Sequence, residues 1–269
     1  MICLIRNIPV HYEEYGEGTP ILCIHGSYVD HRMMVEFLEP AFTHEHGYRR
    51  IYIDLPGMGK TPSASWIKSS DDMLEILIEF INIVIGNEKF LLTGASYGGY
   101  LSLGLIHEIN ERINGVLLIC PMIDPREDNP ENLPERQILS KPKQLDFIKD
   151  EFSGYLDMAV VVTKKSYEKW QNSIQPAINI ADIEFLTNHL NMWYRSDLQE
   201  AVNKVKFDKP SCILTGRQDH NTGYKIANEL VERFPRATFS ILDCAGHFME
   251  REPLIERMVK DWIERVELK

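Results

Sequence analysis

The sequence predicts an α/β fold: a mostly parallel central sheet flanked by helices, with a helical segment inserted at residues 121–205. Three observations lead there. Short runs that are apolar on both faces recur along the chain, as strands in the middle of a covered sheet require. Segments with a 3.6-residue apolar period separate them, which makes right-handed β-α-β crossovers. Between residues 121 and 205 that alternation stops.

In chain order, residues 8–15 alternate loosely and run into Gly16-Glu17-Gly18-Thr19-Pro20, a turn signal. This predicts a hairpin with residues 21–24 (Ile-Leu-Cys-Ile), adding an antiparallel strand at one edge. Further strands are predicted at 50–54, 90–93, 115–120, 211–215 and 238–242, and helices at 71–85, 97–109, 222–234 and 254–266. The segment 121–205 begins with turn residues (Pro121, Pro125, Asn129, Pro130, Pro134). It continues in helical, aromatic-rich sequence with Phe147, Phe152, Tyr155, Tyr167, Trp170, Phe185, Trp193 and Tyr194. An insertion of this length is not a plain loop. It reads as a helical lid, residues 121–205, on a core formed by 1–120 and 206–269.

With 269 residues, 44% of them apolar, one sizeable core is expected. The formal net charge of −11 repels phosphate backbones and anionic lipid, so neither nucleic acid nor a membrane is an expected partner. Cys3, Cys23, Cys120, Cys212 and Cys244 are scattered and form no C-x-x-C pair, which argues against a disulfide framework. The start lacks the pattern of a signal peptide. No apolar run approaches the about 20 residues of a membrane span. A cytoplasmic location is the expectation.

Chemistry concentrates at three predicted strand ends. Gly94-Ala95-Ser96-Tyr97-Gly98-Gly99 lies between an apolar strand and a helix. G-x-S-x-G there describes a nucleophile elbow, in which small neighbours let the chain cross itself and hold the serine oxygen clear of the sheet. A serine nucleophile needs a base, and the base needs an orienting acid. Asp219 follows the strand at 211–215 and His247 follows the strand at 238–242. Ligands gather at such carboxyl ends. An oxyanion hole needs two backbone donors. Tyr97 supplies one at the start of its helix, and Ser27, in His25-Gly26-Ser27, is the candidate for the other. His25 is expected to brace that loop rather than react.

The chain resembles the α/β-hydrolase superfamily over nearly its full length. The resemblance rests on His25-Gly26, on Asp54-Leu55-Pro56-Gly57-Met58-Gly59, on the G-x-S-x-G-G run, on Gly216-Arg217-Gln218-Asp219 and on Gly246-His247, in that order. It implies a nucleophilic Ser96, a general-base His247 and an acid Asp219. It also implies that residues 121–205 form a substrate-shaping cap after the sixth strand, and that Asp54 serves the scaffold. Ala95 stands where many relatives carry histidine, asparagine or glycine. The H-G-G-P-G run of proline iminopeptidases is absent. Dehalogenases and epoxide hydrolases of this fold use aspartate where Ser96 stands.

Other residues have competing readings. Asp124 lies beyond the fourth buried strand, a region from which some hydrolases of this fold take their acid; Asp219 ranks above it. His220 is too near Asp219 in sequence to replace His247. His44 and His46 read as loop residues. No metal-ligand spacing, P-loop or dinucleotide fingerprint is present in the sequence. The expected chemistry is acyl transfer through Ser96 on a small, ester-like substrate, without a cofactor. A C–C bond hydrolase of diketone-like substrates, an acyltransferase or thioesterase, and a non-catalytic ligand receptor on the same fold stay open.

Overall fold

The first two strands, β1 (Ile2–Ile5) and β2 (Ile8–Tyr15), form a hairpin closed by Arg6 and Asn7, both with positive φ (46° and 69°). A two-residue turn with both residues left-handed matches the twist of the strands it joins. The computed structural model describes residues 1–42, 47–126, 129, 131–149, 153–188, 197–249 and 252–268. His44, His46, Phe152, Trp193 and Tyr194 therefore lie outside the described residues.

The predicted hairpin between 8–15 and 21–24 does not form. Strand β2 pairs antiparallel with β4 (Tyr48–Ile53), and β3 (Thr19–Ile24) lies beyond it, parallel to β4 and to β5 (Phe90–Ala95). The physical reason is burial on both faces. Ile21, Leu22, Cys23 and Ile24 are all fully buried, and only a position between two strands and two helix layers covers every one of them. The sheet continues through β6 (Ile113–Ile119), β7 (Ser211–Gly216) and β8 (Ala237–Leu242), giving the order β1-β2-β4-β3-β5-β6-β7-β8. Every pair from β4 to β8 is parallel.

Alternation along the strands divides the core in two. Leu22, Ile24, Ile51, Ile53, Leu92, Leu118 and Ile213 face α2 (Ser70–Val84) and α3 (Tyr97–Ile109). Ile21, Cys23, Tyr52, Leu91, Leu117, Cys212 and Leu214 face α1 (His31–Phe42) and α11 (Glu252–Glu267). Helix α2 starts at a capping box, where the Ser69 side chain accepts from Asp72 N–H and Asp72 returns a bond to Ser69 N–H. Helix α1 has no counterpart in the sequence reading. Its buried stripe of Met33, Met34, Leu38, Ala41 and Phe42 is helical in spacing, but Pro40 interrupts the pattern.

Between β6 and β7 the described residues form α4 (Ser153–Met158), α5 (Lys164–Lys169), a π turn (Trp170–Ile174), α6 (Gln175–Ile178), α7 (Ile183–Asn188) and α8 (Leu198–Lys204). The π turn has a local cause. Pro176 has no N–H to donate, and Gln175 N–H reaches back five residues to Trp170 O. The helix predicted over 222–234 is two short pieces, α9 (Tyr224–Ala227) and α10 (Leu230–Arg233). Tighter bonds three residues apart, Glu229 N–H to Ile226 O and Val231 N–H to Asn228 O, separate them. Among the described residues no helix is long and apolar enough to cross a membrane.

Asp54, just past β4, is fully buried and ties three segments together. Its Oδ1 accepts from His31 N–H (2.9 Å) and His31 Nδ1–H (2.8 Å), and its Oδ2 from His11 Nδ1–H (2.8 Å) and Lys60 N–H (3.0 Å). Burial would raise its carboxyl, but the hydrogen bond and charge of His31, with the bond from Lys60 N–H, hold it well below its ordinary 3.8. His31 goes the other way: burial lowers it, while Asp54, Asp30 and Glu13 together raise it above 6.5.

Two predictions follow from the packing. Trp262 is fully buried and donates Nε1–H to Pro210 O (3.1 Å), so Trp262→Ala should cost about 3–5 kcal/mol in urea unfolding. The stabilisation from the depressed Asp54 is complete above about pH 4 and is lost as pH falls through its folded pKa; that from the raised His31 is complete below about pH 6.5 and is lost as pH rises through its folded value. Asp54→Asn should therefore flatten both limbs of a Tm-against-pH curve. An unchanged curve would show that this cluster carries no pH-dependent stability.

Candidate active site

The nucleophile candidate stands between β5 and α3. Ser96 has φ 52° and ψ −117°, a left-handed region that side chains other than glycine rarely enter. Such a residue costs about 1–3 kcal/mol and persists only where its surroundings over-determine it. Here they do. Ser96 N–H donates to Ile119 O on β6 (3.0 Å), and Ser96 O accepts from Gly99, Tyr100 and Met122 N–H (2.9, 3.2 and 3.0 Å). The crossing is so tight that a Cβ on Gly98 would lie 2.2 Å from Ile24 O, and one on Gly94 would lie 2.4 Å from Gly98 O. The spacing of glycines around Ser96 is therefore a steric requirement.

The loop after β3 presses against this turn. A Cβ on Gly26 would meet Ser96 Cβ at 3.2 Å and Oγ at 3.7 Å. Ser27 follows directly on Gly26, and Tyr97 follows Ser96 and opens α3. The Tyr97 phenol is turned away toward Ser70 Oγ (3.1 Å) and burial pushes its pKa up, so its hydroxyl stays neutral. His25 is fully buried, with Nδ1 2.7 Å from Gly26 O and Nε2 accepting from Leu55 N–H (3.0 Å). Those two partners fix the Nδ1–H tautomer and use both ring nitrogens. Burial lowers its pKa and keeps it neutral. The ring is a brace between the β3 and β4 loops.

His247 and Asp219 meet. His247 Nδ1 lies 3.2 Å from Asp219 Oδ1 and 3.1 Å from Oδ2. The carboxylate is fully buried; Oδ1 also accepts from Asn221 N–H (2.9 Å) and Thr222 N–H (3.2 Å), and Oδ2 from the Thr222 hydroxyl (2.7 Å). Burial alone would raise Asp219; the charge and hydrogen bond of His247, with the bonds from Thr222 and Asn221, bring it well below the usual carboxylate range. It stays ionised, fixing the proton of His247 on Nδ1. Asp124 is turned instead to Arg126, whose N–H and guanidinium it binds at 2.8–3.2 Å. His220 is half-buried beside this pair, and burial lowers its pKa.

Sequence reasoning missed three contributors here. Thr222 supplies two of the bonds to Asp219, and an Asp followed three residues later by Thr is the local signal. Gln218 staples the two loops: its N–H donates to Ala245 O (3.0 Å) and its Oε1 accepts from Ala245 N–H (3.1 Å). Cys120 ends the β6 run with φ 42°, and its Sγ, Asp219 and His247 bring their ligating atoms within 4.8 Å of one another. His11, His31 and Asp54 form a second group of that kind. Neither trio has a telling spacing in sequence.

A narrow, mainly apolar cavity of about 50 Å³ is lined among others by Met33, Phe37, Tyr155, Met158, Trp170 and Phe248, the residue after His247. The Phe248 ring centroid lies 6.0 Å from that of His247. The walls come from α1, from the segment between β6 and β7, and from the loop carrying His247.

The chain is 23% identical to the pimeloyl-[acyl-carrier protein] methyl ester esterase of Legionella pneumophila (strain Corby), covering 95% of this chain and 99% of that one. It is 24% identical to a 2-hydroxy-6-oxononadienedioate/2-hydroxy-6-oxononatrienedioate hydrolase of Paraburkholderia phymatum, over 91% and 87% of the two chains. An alpha/beta superfamily hydrolase from Oenococcus oeni PSU-1 superimposes with a TM-score of 0.87 at 29% identity, covering 96% of this chain and 97% of that one. A model of the alpha/beta hydrolase family matches residues 21–256, and this chain belongs to that family.

Proposed function

We propose that the protein is a carboxylic ester hydrolase that works through an acyl-enzyme on Ser96. The observation that carries this reading is the left-handed Ser96 backbone, locked by bonds to β6 and α3, together with a buried His247–Asp219 pair. His247 takes the Ser96 proton on Nε2 as the oxygen attacks the carbonyl. Asp219 holds the ring and stabilises the imidazolium that forms. Ser27 and Tyr97 N–H groups receive the oxyanion. The leaving alcohol takes the proton back, and water then releases the acyl group by the same steps. The substrate is a small molecule, no cofactor enters, and the chemistry suits the cytoplasm. Residues 121–205 act as the cap, and the apolar cavity beside Phe248 takes an uncharged part of the substrate.

The likeness to an esterase supports the ester reading. The likeness to a dienedioate hydrolase favours a second one, cleavage of a C–C bond next to a carbonyl, by the same residues.

Turnover of p-nitrophenyl esters from acetate to decanoate tests the proposal. The wild type should show a chain-length optimum, and Ser96→Ala should fold normally while losing about 10⁴-fold or more in kcat. Hydrolysis that survives Ser96→Ala would sink the reading; no ester turnover with cleavage of a vinylogous 1,5-diketone would move it to the C–C hydrolase. Thr222→Val keeps the shape but removes the donor to Asp219 Oδ2. It should cost about 1–3 kcal/mol of stability. Lost equally from the transition state, that is about five- to 150-fold in kcat/KM. A Thr222→Val enzyme with wild-type kinetics would leave the hydroxyl no part in holding Asp219.

A further inference from the structure

We propose that Cys120, His247 and Asp219 form a binding site for a thiophilic divalent cation such as Zn²⁺, and that filling it switches the hydrolase off. The proposed mechanism makes no use of Cys120. Yet its Sγ, a ring nitrogen of His247 and a carboxylate oxygen of Asp219 all lie within 4.8 Å of one another. All three residues are buried. Thiolate, imidazole and carboxylate are the three side-chain donor types that zinc takes.

The surroundings hold the cysteine in place. Cys120 N–H donates to Leu214 O (2.7 Å), its carbonyl lies 3.2 Å from the Thr222 hydroxyl, and its Sγ stands 3.8 Å from Gly246 O. The left-handed φ of 42° aims this residue from a turn that its neighbours fix. Spacing also distinguishes this trio from the other. The His247–Asp219 contacts are 3.1 and 3.2 Å, while both histidines contact Asp54 at 2.8 Å. Ligands on a tetrahedral zinc with bonds of about 2.0–2.3 Å stand about 3.3–3.7 Å apart. His247 and Asp219 need part by only a few tenths of an ångström, with Sγ closing on them. Around Asp54 the two rings hold opposite carboxylate oxygens and no sulfur is in the set.

Charge fits as well. Binding releases one proton, from the Cys120 thiol, while the His247 Nδ1 proton moves to Nε2 and the ring stays neutral. Thiolate and carboxylate then balance the dication, leaving a neutral centre suited to a buried position. Asp219 keeps its Asn221 and Thr222 N–H bonds on Oδ1. The metal takes the place of the Nδ1 proton that orients the base, so acid–base chemistry at His247 stops. Sulfur selects Zn²⁺ or Cd²⁺ over the hard ions Mg²⁺ and Ca²⁺.

Co²⁺ is the spectroscopic probe, added to the purified full chain. The wild type should give a thiolate-to-cobalt charge-transfer band in the near ultraviolet. Cys244→Ser, which removes the one half-exposed cysteine, should keep the band, and both Cys120→Ser and Cys120→Ala should lack it. In parallel, Zn²⁺ should inhibit p-nitrophenyl ester hydrolysis, with reversal by chelator and no effect of Mg²⁺. Cys120→Ser should raise the half-inhibiting Zn²⁺ concentration by about tenfold or more, since even outer-shell losses cost that much. A wild type without the band, a band that survives both Cys120 substitutions, or unchanged Zn²⁺ sensitivity in Cys120→Ser overturns the proposal. The inhibition arm rests on the esterase reading and the cobalt arm does not. A Cys120-dependent band in a protein inert toward esters would refute the esterase and keep the metal site.

Discussion

The closeness of α3 to β3 and β5 governs the carboxyl edge of the sheet. Two missing side chains set that distance. At Gly98 the Ile24 carbonyl occupies the space of a Cβ, and at Gly94 the Gly98 carbonyl does. Interpenetration at this level lets the chain reverse from strand to helix in one residue. It also forces that residue into a left-handed backbone, and four backbone hydrogen bonds to Ser96 from β6, α3 and Met122 repay the strain. The same approach carries Gly26 against the serine side chain. Ser96 and the loop at Gly26 are thus one packing unit, and any added methyl group there would move both.

Electrostatics then divides the histidines by how many nitrogens are engaged. His25 spends both on backbone groups of two loops and is neutral through burial, so it moves no proton. His31 uses one on Asp54, with Glu13 3.4 Å from the other, and these carboxylates favour its protonated form. His247 is anchored through Nδ1 by Asp219. On the proposed mechanism its Nε2 is the working atom. Buried carboxylates Asp54 and Asp219 look alike in depth and in depressed pKa. The first is satisfied by two rings from separate segments and clamps the scaffold, while the second is satisfied by its own turn and orients a single ring.

What was legible in the sequence follows the range of the interactions. The β5–Ser96–α3 turn was readable because strand, elbow and helix are contiguous, and Asp219 and His247 because each follows its own strand. Strand order was not: residues 8–15 and 21–24 looked like hairpin partners, and the apolar character of both faces of β3 drew it past β4 into the sheet. Helix α1 hid behind Pro40. Gln218 and Cys120 act across 27 or more residues, on Ala245 and Gly246, so no local pattern announces them. Thr222 did carry a local signal, three residues after the acid, and the turn it builds was read as the start of a longer helix.

Those missed residues share a property that explains the arrangement of the loops. Asp219 and His247 sit on separate loops, and an orienting carboxylate is useful only if the two cannot drift apart. Gln218 exchanges two hydrogen bonds with Ala245, two residues before the histidine, and Thr222 holds the carboxylate from the opposite side. The geometry of the pair is therefore set by amide and hydroxyl contacts that do not ionise across the working pH range. On the proposed mechanism, the proton that His247 takes from Ser96 changes the charge beside Asp219 without loosening that frame. Cys120, in the wall of that frame, brings a soft sulfur within reach of both. A frame built to hold two ligands at a fixed spacing is also a frame in which a third ligand makes a metal site.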